Sequence, residues 1–162
     1  MITRYTLLAF RYFLGLLFVV TAIGKLLDNR GFAQVINSYQ LGIPDFALLG
    51  FALTFSLLEL IIGLNILCGR ELSKSILATL GFHLGYATLA FTTLLRGIAL
   101  PNCGCFGVFL ARSLTWSTVI EDLVLATISL VCWLLLRRIT ILAVVENIAH
   151  SSQYDERKSN QE

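Results

Sequence analysis

An all-α fold, an integral membrane four-helix bundle with a short amphipathic helix in its first outer loop, is what this sequence predicts, on three observations. Hydrophobic residues make up 57% of the 162 and charged ones only 14%, with a mean hydropathy of +0.81; a soluble domain carries roughly a quarter charged residues. The apolar residues fall into four runs, each close to the ~20 residues that a span needs. Glu71 and Lys74 aside, the charges sit mostly at the ends of those runs. A net charge of +2 excludes nucleic acid as the natural partner, and the composition points to the lipid bilayer instead.

The first predicted span covers about residues 5–24, with Arg11 near its start and able to snorkel to the surface. Arg4 and Arg11 ahead of an apolar run ending in Ala22-Ile23-Gly24 loosely resemble a signal peptide, but apolar residues on both sides of Arg11 favour a retained helix. The segment 28–44 places Phe32, Val35, Ile36 and Tyr39 at helical spacing and ends at Gly42 and Pro44, which predicts a short amphipathic helix lying on the membrane. The second span, about 46–68, contains a single acid, Glu59, and a tight turn leads from it to the third. The third span, about 75–95, has only His83 as an ionisable residue. The fourth, about 116–136, carries Glu121 and Asp122 near its start and stops at Arg137-Arg138. Residues 1–138 thus form one domain; 139–162 read as a cytoplasmic tail, part extension of the last helix and part, from Ser151, disordered.

Basic residues set the orientation. Four spans put Arg4, Arg11, Arg70, Lys74, Arg137, Arg138, Arg157 and Lys158 on one side and Lys25, Arg30, Arg96 and Arg112 on the other. The excess places both termini in the cytoplasm, in a cell inner (plasma) membrane, and the 97–115 loop outside, where disulfides persist.

That loop holds Pro101-Asn102-Cys103-Gly104-Cys105-Phe106-Gly107. A one-residue spacer closes a small, strained disulfide ring, and strained, exposed disulfides are oxidising and exchange readily. Arg96, Arg112 and the N-terminus of the next helix supply positive potential that favours a thiolate. The residues leave three readings open: a redox-active pair, a static loop staple, or half of a metal site. Zinc would need two more ligands, and His83 and Cys68 lie too far off in this topology, so no metal is assigned. Cys68 and Cys132, at the inner ends of two helices, read as packing residues.

Ionisable groups inside spans are costly and need partners. Glu59, nine residues before Cys68, and His83, eight after Ser75, lie at matching depths of roughly 12–14 Å at the helical rise, which predicts a direct or water-bridged hydrogen bond between them. Lys25, Glu121 and Asp122 form an outer layer, with Asp122 expected to pair with Lys25 and Glu121 to close a capping box with Thr118. Gly15, Gly24, Gly63, Gly81 and Gly85 are expected at close helix contacts.

Together, Arg11 with Leu14-Gly15 and Lys25, Glu59 with Gly63-Leu64, and the Cys103-Gly104-Cys105-Phe106-Gly107 element resemble the MauE/DoxX-like membrane proteins, over about Arg11 to Arg138. The resemblance implies a four-helix membrane protein tied to thiol redox, with Cys103 and Cys105 as the reactive pair and Lys25, Glu59 and Asp122 supporting it. Methylamine-utilisation members of that family support maturation of a disulfide-rich periplasmic dehydrogenase subunit beside a thioredoxin-like partner. The architecture also looks like that of DsbB and vitamin K epoxide reductase-like proteins, so quinone enters as a cofactor by analogy only, since their CxxC is missing here. The expected function is therefore thiol-disulfide exchange through the outward pair with a thioredoxin-like extracytoplasmic protein. The alternative is a non-catalytic assembly factor in which the pair is a structural disulfide.

Overall fold

The computed structural model describes the backbone of residues 2–159 and the side chains of 5–142 and 144, all helices and loops with no strand among them. The chain runs α1 (Ile2–Leu27), α2 (Asn29–Ser38), α3 (Asp45–Cys68), α4 (Leu72–Leu95) and α5 (Trp116–Ser159). Four of these helices are long and apolar enough to cross a membrane: Tyr5–Leu27, Asp45–Cys68, Leu72–Leu95 and Trp116–Leu142. Their outward faces carry Phe13, Leu16, Val20, Ile61, Leu64, Leu84 and Leu123, all exposed, as side chains solvated by lipid would be.

Two antiparallel pairs build the bundle. In α1 and α3, small residues let the backbones close. A Cβ on Gly15 would stand 2.8 Å from Leu67, and one on Gly63 would stand 2.9 Å from the Val19 backbone nitrogen. The Arg11 guanidinium finds its partners on the neighbouring helix. It turns onto the end of α3, Nε and Nη2 each donating at 2.7 Å to the carbonyls of Ile66 and Leu67, acceptors that a helix C-terminus leaves without partners. Gly69 (φ 75°) then turns the chain toward α4. In the second pair, α4 meets α5 through His83–Asp122 and through Phe91 edge-on to Trp116. Leu14, Ile66, Ile76 and Cys132 seal the four spans at the end where α3 turns into α4, so Cys132 is a packing residue, while Cys68 is exposed.

The register of the first pair sets up the site. Opposing Gly15 to Leu67 and Val19 to Gly63 brings Lys25 opposite Glu59 and leaves the outer half of α3 beyond the end of α1. α2 fills that half. Asp28 caps it, its carboxylate accepting from the Gly31 N–H at 2.9 Å, and Phe32, Ala33 and Ile36 pack on Leu48 and Ala52. The amphipathic helix thus spends its apolar face on α3 rather than on the membrane surface. The last helix, α5, differs more. With neither Gly nor Pro between Trp116 and Ser159, nothing interrupts its backbone, which stays helical past Arg137-Arg138 through a stretch read from sequence as a partly disordered tail. The side chains expected there, like those of Arg4, Arg157 and Lys158, lie outside the described residues.

Candidate thiol site

The connection between α4 and α5 is short, hydrogen-bonded and pinned at both ends. Cys103 N–H donates to the Arg112 carbonyl at 2.7 Å and Leu114 N–H to the Leu100 carbonyl at 2.9 Å, closing the loop at its base. The Asn102 side chain braces the turn, accepting from Gly104 N–H and donating to the Gly107 carbonyl. Gly104 and Gly107 hold φ of 76° and 75°, a region that disfavours any Cβ. Gly107 also has no room for one, because it would overlap the Gly24 carbonyl; a Cβ on Gly24 would in turn stand 2.6 Å from the Phe106 carbonyl oxygen. The loop is thereby pressed backbone to backbone onto the end of α1, one residue from Lys25.

Within it, Cys103 and Cys105 are free thiols with Sγ atoms 2.9 Å apart in a hydrogen bond. Cys103 is buried among Tyr39, Ala90, Leu100 and Leu114, and Cys105 is partly exposed. The Cys105 thiol, hydrogen-bonded to Cys103, brings the Cys103 thiol down to about 6 against the cost of burial; the Cys105 backbone N–H and the Arg112 charge act in the same sense. The same hydrogen bond, with burial, pushes Cys105 well up. The pair is thus one thiolate and one thiol at neutral pH. Arg112 is held by a two-pronged pairing with Glu121 at 2.7 and 2.9 Å, so Glu121 does not cap α5. That helix begins at Trp116, and the Thr118 hydroxyl accepts the Thr115 N–H. Arg96 binds the carbonyls of Tyr39 and Gln40 rather than approaching the thiols, and burial keeps the Tyr39 hydroxyl protonated as the donor to the Cys103 carbonyl at 2.7 Å.

A titration follows from this asymmetry. The thiolate is the form that reacts, so iodoacetamide alkylation of the reduced protein should rise through pH 6 and level off above it at Cys103. An ordinary thiol would still be accelerating at about pH 8.5. Cys105→Ala removes the hydrogen bond and should move the inflection upward toward that ordinary range. An unshifted inflection would show that the two sulfurs do not share a proton.

Beneath the loop lie a buried ion pair and a buried histidine–carboxylate contact, and their partners differ from those expected. Glu59 does not pair with His83, nor Lys25 with Asp122. The Lys25 Nζ lies 2.7 Å from both Glu59 oxygens and 3.0 Å from the Tyr86 hydroxyl, which also donates to Glu59. Lys25 and Glu59 are each 1% exposed, and the ammonium sits over the Phe32 and Tyr86 rings. His83 Nδ1 meets Asp122 Oδ1 at 3.4 Å, leaving His83 Nε2 and Asp122 Oδ2 buried without a partner. Depth counted from helix ends placed Lys25 too far out, because α1 is shifted along α3 and its lysine reaches inward.

The structure nevertheless brings every predicted site residue to one place. Glu59, His83, Asp122, Cys103 and Cys105 line a common small cavity of about 100 Å³, with Lys25 behind Glu59. His83 is therefore near the thiols, against the expectation from topology, yet among the described residues no three His, Cys, Asp or Glu are grouped as a metal site requires. Tyr86 is the member of the candidate site that sequence reasoning missed. The signal was there: a hydroxyl-bearing ring one turn beyond His83, on the same face of an apolar span.

Comparison with known proteins sets this site in a lineage. The family model described as "Methylamine utilisation protein MauE" matches residues 3–136. The methylamine utilization protein MauE of Paracoccus denitrificans is 30% identical over 122 residues, covering 75% of this chain and 65% of that protein. Its counterpart from Paracoccus versutus is 30% identical over 123 residues, with the same coverage. The chain thus spans just under two thirds of the length of these curated relatives. No solved structure matches it.

Proposed function

Since the chain belongs to the MauE family of membrane proteins, we propose that Cys103 and Cys105 form a thiol-disulfide exchange centre serving protein maturation outside the cytoplasm. The observation that carries this reading is the geometry of the pair, two free thiols with Sγ atoms 2.9 Å apart, one buried and one partly exposed, in a loop pressed onto the end of α1; their hydrogen bond draws the Cys103 thiol down and pushes Cys105 up. A static staple needs no such tuning.

The asymmetry assigns roles. In the oxidised pair a partner thiolate attacks the accessible Cys105 Sγ; the S–S bond breaks and Cys103 departs as the thiolate, the better leaving group because its pKa is low. A second partner thiolate then attacks the partner's own sulfur in the mixed disulfide, and Cys105 leaves and takes up a proton. The partner loses two electrons and the pair gains them. A thioredoxin-like extracytoplasmic protein fits that chemistry, with a disulfide-rich periplasmic client beyond it. The names of the relatives tie those proteins to methylamine utilisation, and on this reading the chain serves the same process. The positive-inside count supports an inner-membrane protein with both termini cytoplasmic and the thiol loop outside.

The competing reading, a membrane assembly factor with a stapled loop, draws on the packing of Cys103 into an apolar cluster. A membrane-impermeant maleimide on intact cells separates the two. It should label the loop only after mild reduction, and protein not yet labelled should lose that reactivity again as the disulfide re-forms once reductant is removed. Labelling only after permeabilisation would reverse the orientation, and a pair that never re-forms would leave the staple.

A further inference from the structure

Beside the thiols lies a second, larger cavity that nothing above uses. It encloses about 410 Å³ between α2, α3, α4 and the thiol loop, within the 300–1,000 Å³ typical of small-molecule sites. Aromatic rings make most of its wall, from Phe32 and Tyr39 around to Phe55, Phe82 and Tyr86, the Phe55 and Phe82 centroids 5.0 Å apart. Polar groups converge at one end only: Cys103, Cys105, Thr118, Asp122 and Tyr86.

Two glycines define its mouth. Gly81 and Gly85, expected at a close helix contact, sit one turn apart in mid-α4 with nothing within 4 Å of where a Cβ would stand. Both are exposed, both line the cavity, and exposed Phe51 stands across from them on α3. At that depth a bilayer presents hydrocarbon, so the opening admits a lipophilic molecule sideways from the membrane. A bare glycine strip facing aromatic side chains makes a slot suited to a flat ring.

We propose that this slot binds a lipid-soluble quinone, which reoxidises the Cys103/Cys105 dithiol. The inference rests on the exchange reading, since a pair that oxidises partners must itself be reoxidised by a two-electron acceptor. The step balances: the Cys103 thiolate and the Cys105 thiol give up two electrons and one proton as the S–S bond forms, a second proton comes from water, and the two quinone carbonyls take these up to become the hydroxyls of a quinol. Cys103 attacks as the thiolate. The Cys105 proton passes toward the ring, and the Tyr86 hydroxyl and Asp122 carboxyl, which line the slot, are the groups placed to hold or relay protons at the carbonyl oxygens.

The test uses the full chain, reduced and in lipid nanodiscs, with decylubiquinone and menaquinone-1 as probes; both rings are fully substituted and resist direct addition by thiols. Binding is read by quenching of tyrosine and tryptophan fluorescence. Electron transfer is read by quinol absorbance against loss of alkylatable thiols. One of the two quinones should bind and yield one quinol per disulfide. Gly85→Leu should weaken binding about tenfold or more by overfilling the slot. Gly50→Leu, at a position on α3 that is equally open but outside the cavity, should leave it unchanged. Cys103→Ser should reduce no quinone.

The proposal is overturned if neither quinone binds, if Gly85→Leu binds as wild type does while folding normally by circular dichroism, or if a co-purified phospholipid holds the slot and quinone does not displace it. Bound quinone without thiol oxidation overturns it as well. Failure of the underlying reading looks different: quinone would still oxidise the pair, but no partner protein would ever be found disulfide-linked to it.

Discussion

Replacing Lys25 with Met is expected to destabilise the protein by about 3–5 kcal/mol, the cost of leaving one member of a buried ion pair without its partner. Glu59 would be left 1% exposed, between α1 and α3, with Tyr86 as its remaining donor. Glu59→Gln should do similar harm from the other side, stranding the ammonium over the Phe32 and Tyr86 rings. The double variant Lys25→Met/Glu59→Leu removes both charges and should recover much of the loss, because apolar residues of similar volume replace buried pairs at little cost. Tyr86→Phe should cost only about 1 kcal/mol, as the ammonium still satisfies the carboxylate. Thermal unfolding in detergent reads all four. Additive losses in the double variant would mean that the two residues do not stabilise each other. The single variants should also blunt thiol exchange before they unfold the chain, since Gly107 rests on the Gly24 carbonyl and any shift of α1 at Lys25 moves the loop.

How much of this was legible in the sequence follows from what each feature depends on. The spans were readable because apolar length and flanking charge are local properties: the ends at Cys68 and Leu95 fall where the run of hydrophobic residues gives out. The thiol motif was readable because its two cysteines are adjacent in the chain. The pairing of the buried charges was not, because it depends on how far one helix slides along another. Arg11 docking on the Ile66 and Leu67 carbonyls, with Gly15 and Gly63 allowing close approach, fixes that slide and carries Lys25 to Glu59 rather than to Asp122. Depth counted from each helix's own end cannot see it. The glycines show the same limit. Gly15 and Gly63 serve helix contact as expected and Gly24 meets the thiol loop instead, whereas Gly81 and Gly85 look alike in sequence and leave open space. A small residue tells that something comes close or that something is kept clear, and only the neighbouring helix says which.

The two cysteines are expected to behave unequally when substituted singly, although the motif is nearly symmetric. In Cys103→Ser the accessible Cys105 remains. It can open a partner disulfide, one sulfur joining Cys105 and the other leaving as a thiolate, and no second thiol remains in the loop to resolve the adduct, Cys132 being packed at the far end of the bundle. A mixed disulfide with an extracytoplasmic protein should therefore accumulate, visible on a non-reducing gel and lost on adding reductant. In Cys105→Ser only Cys103 remains, packed against Tyr39, Leu100 and Leu114. It is the more acidic sulfur in the pair, and the serine hydroxyl can still donate to it, but its burial keeps it from the reach of a partner protein. That variant should give little or no adduct. Both should fail to restore disulfides to a client, because exchange needs one sulfur to be attacked and another to leave. Equal adducts from both variants would remove the division of labour between an exposed acceptor and a buried leaving group. Undiminished client maturation in both would remove exchange altogether, leaving the loop as a stapled surface for assembly.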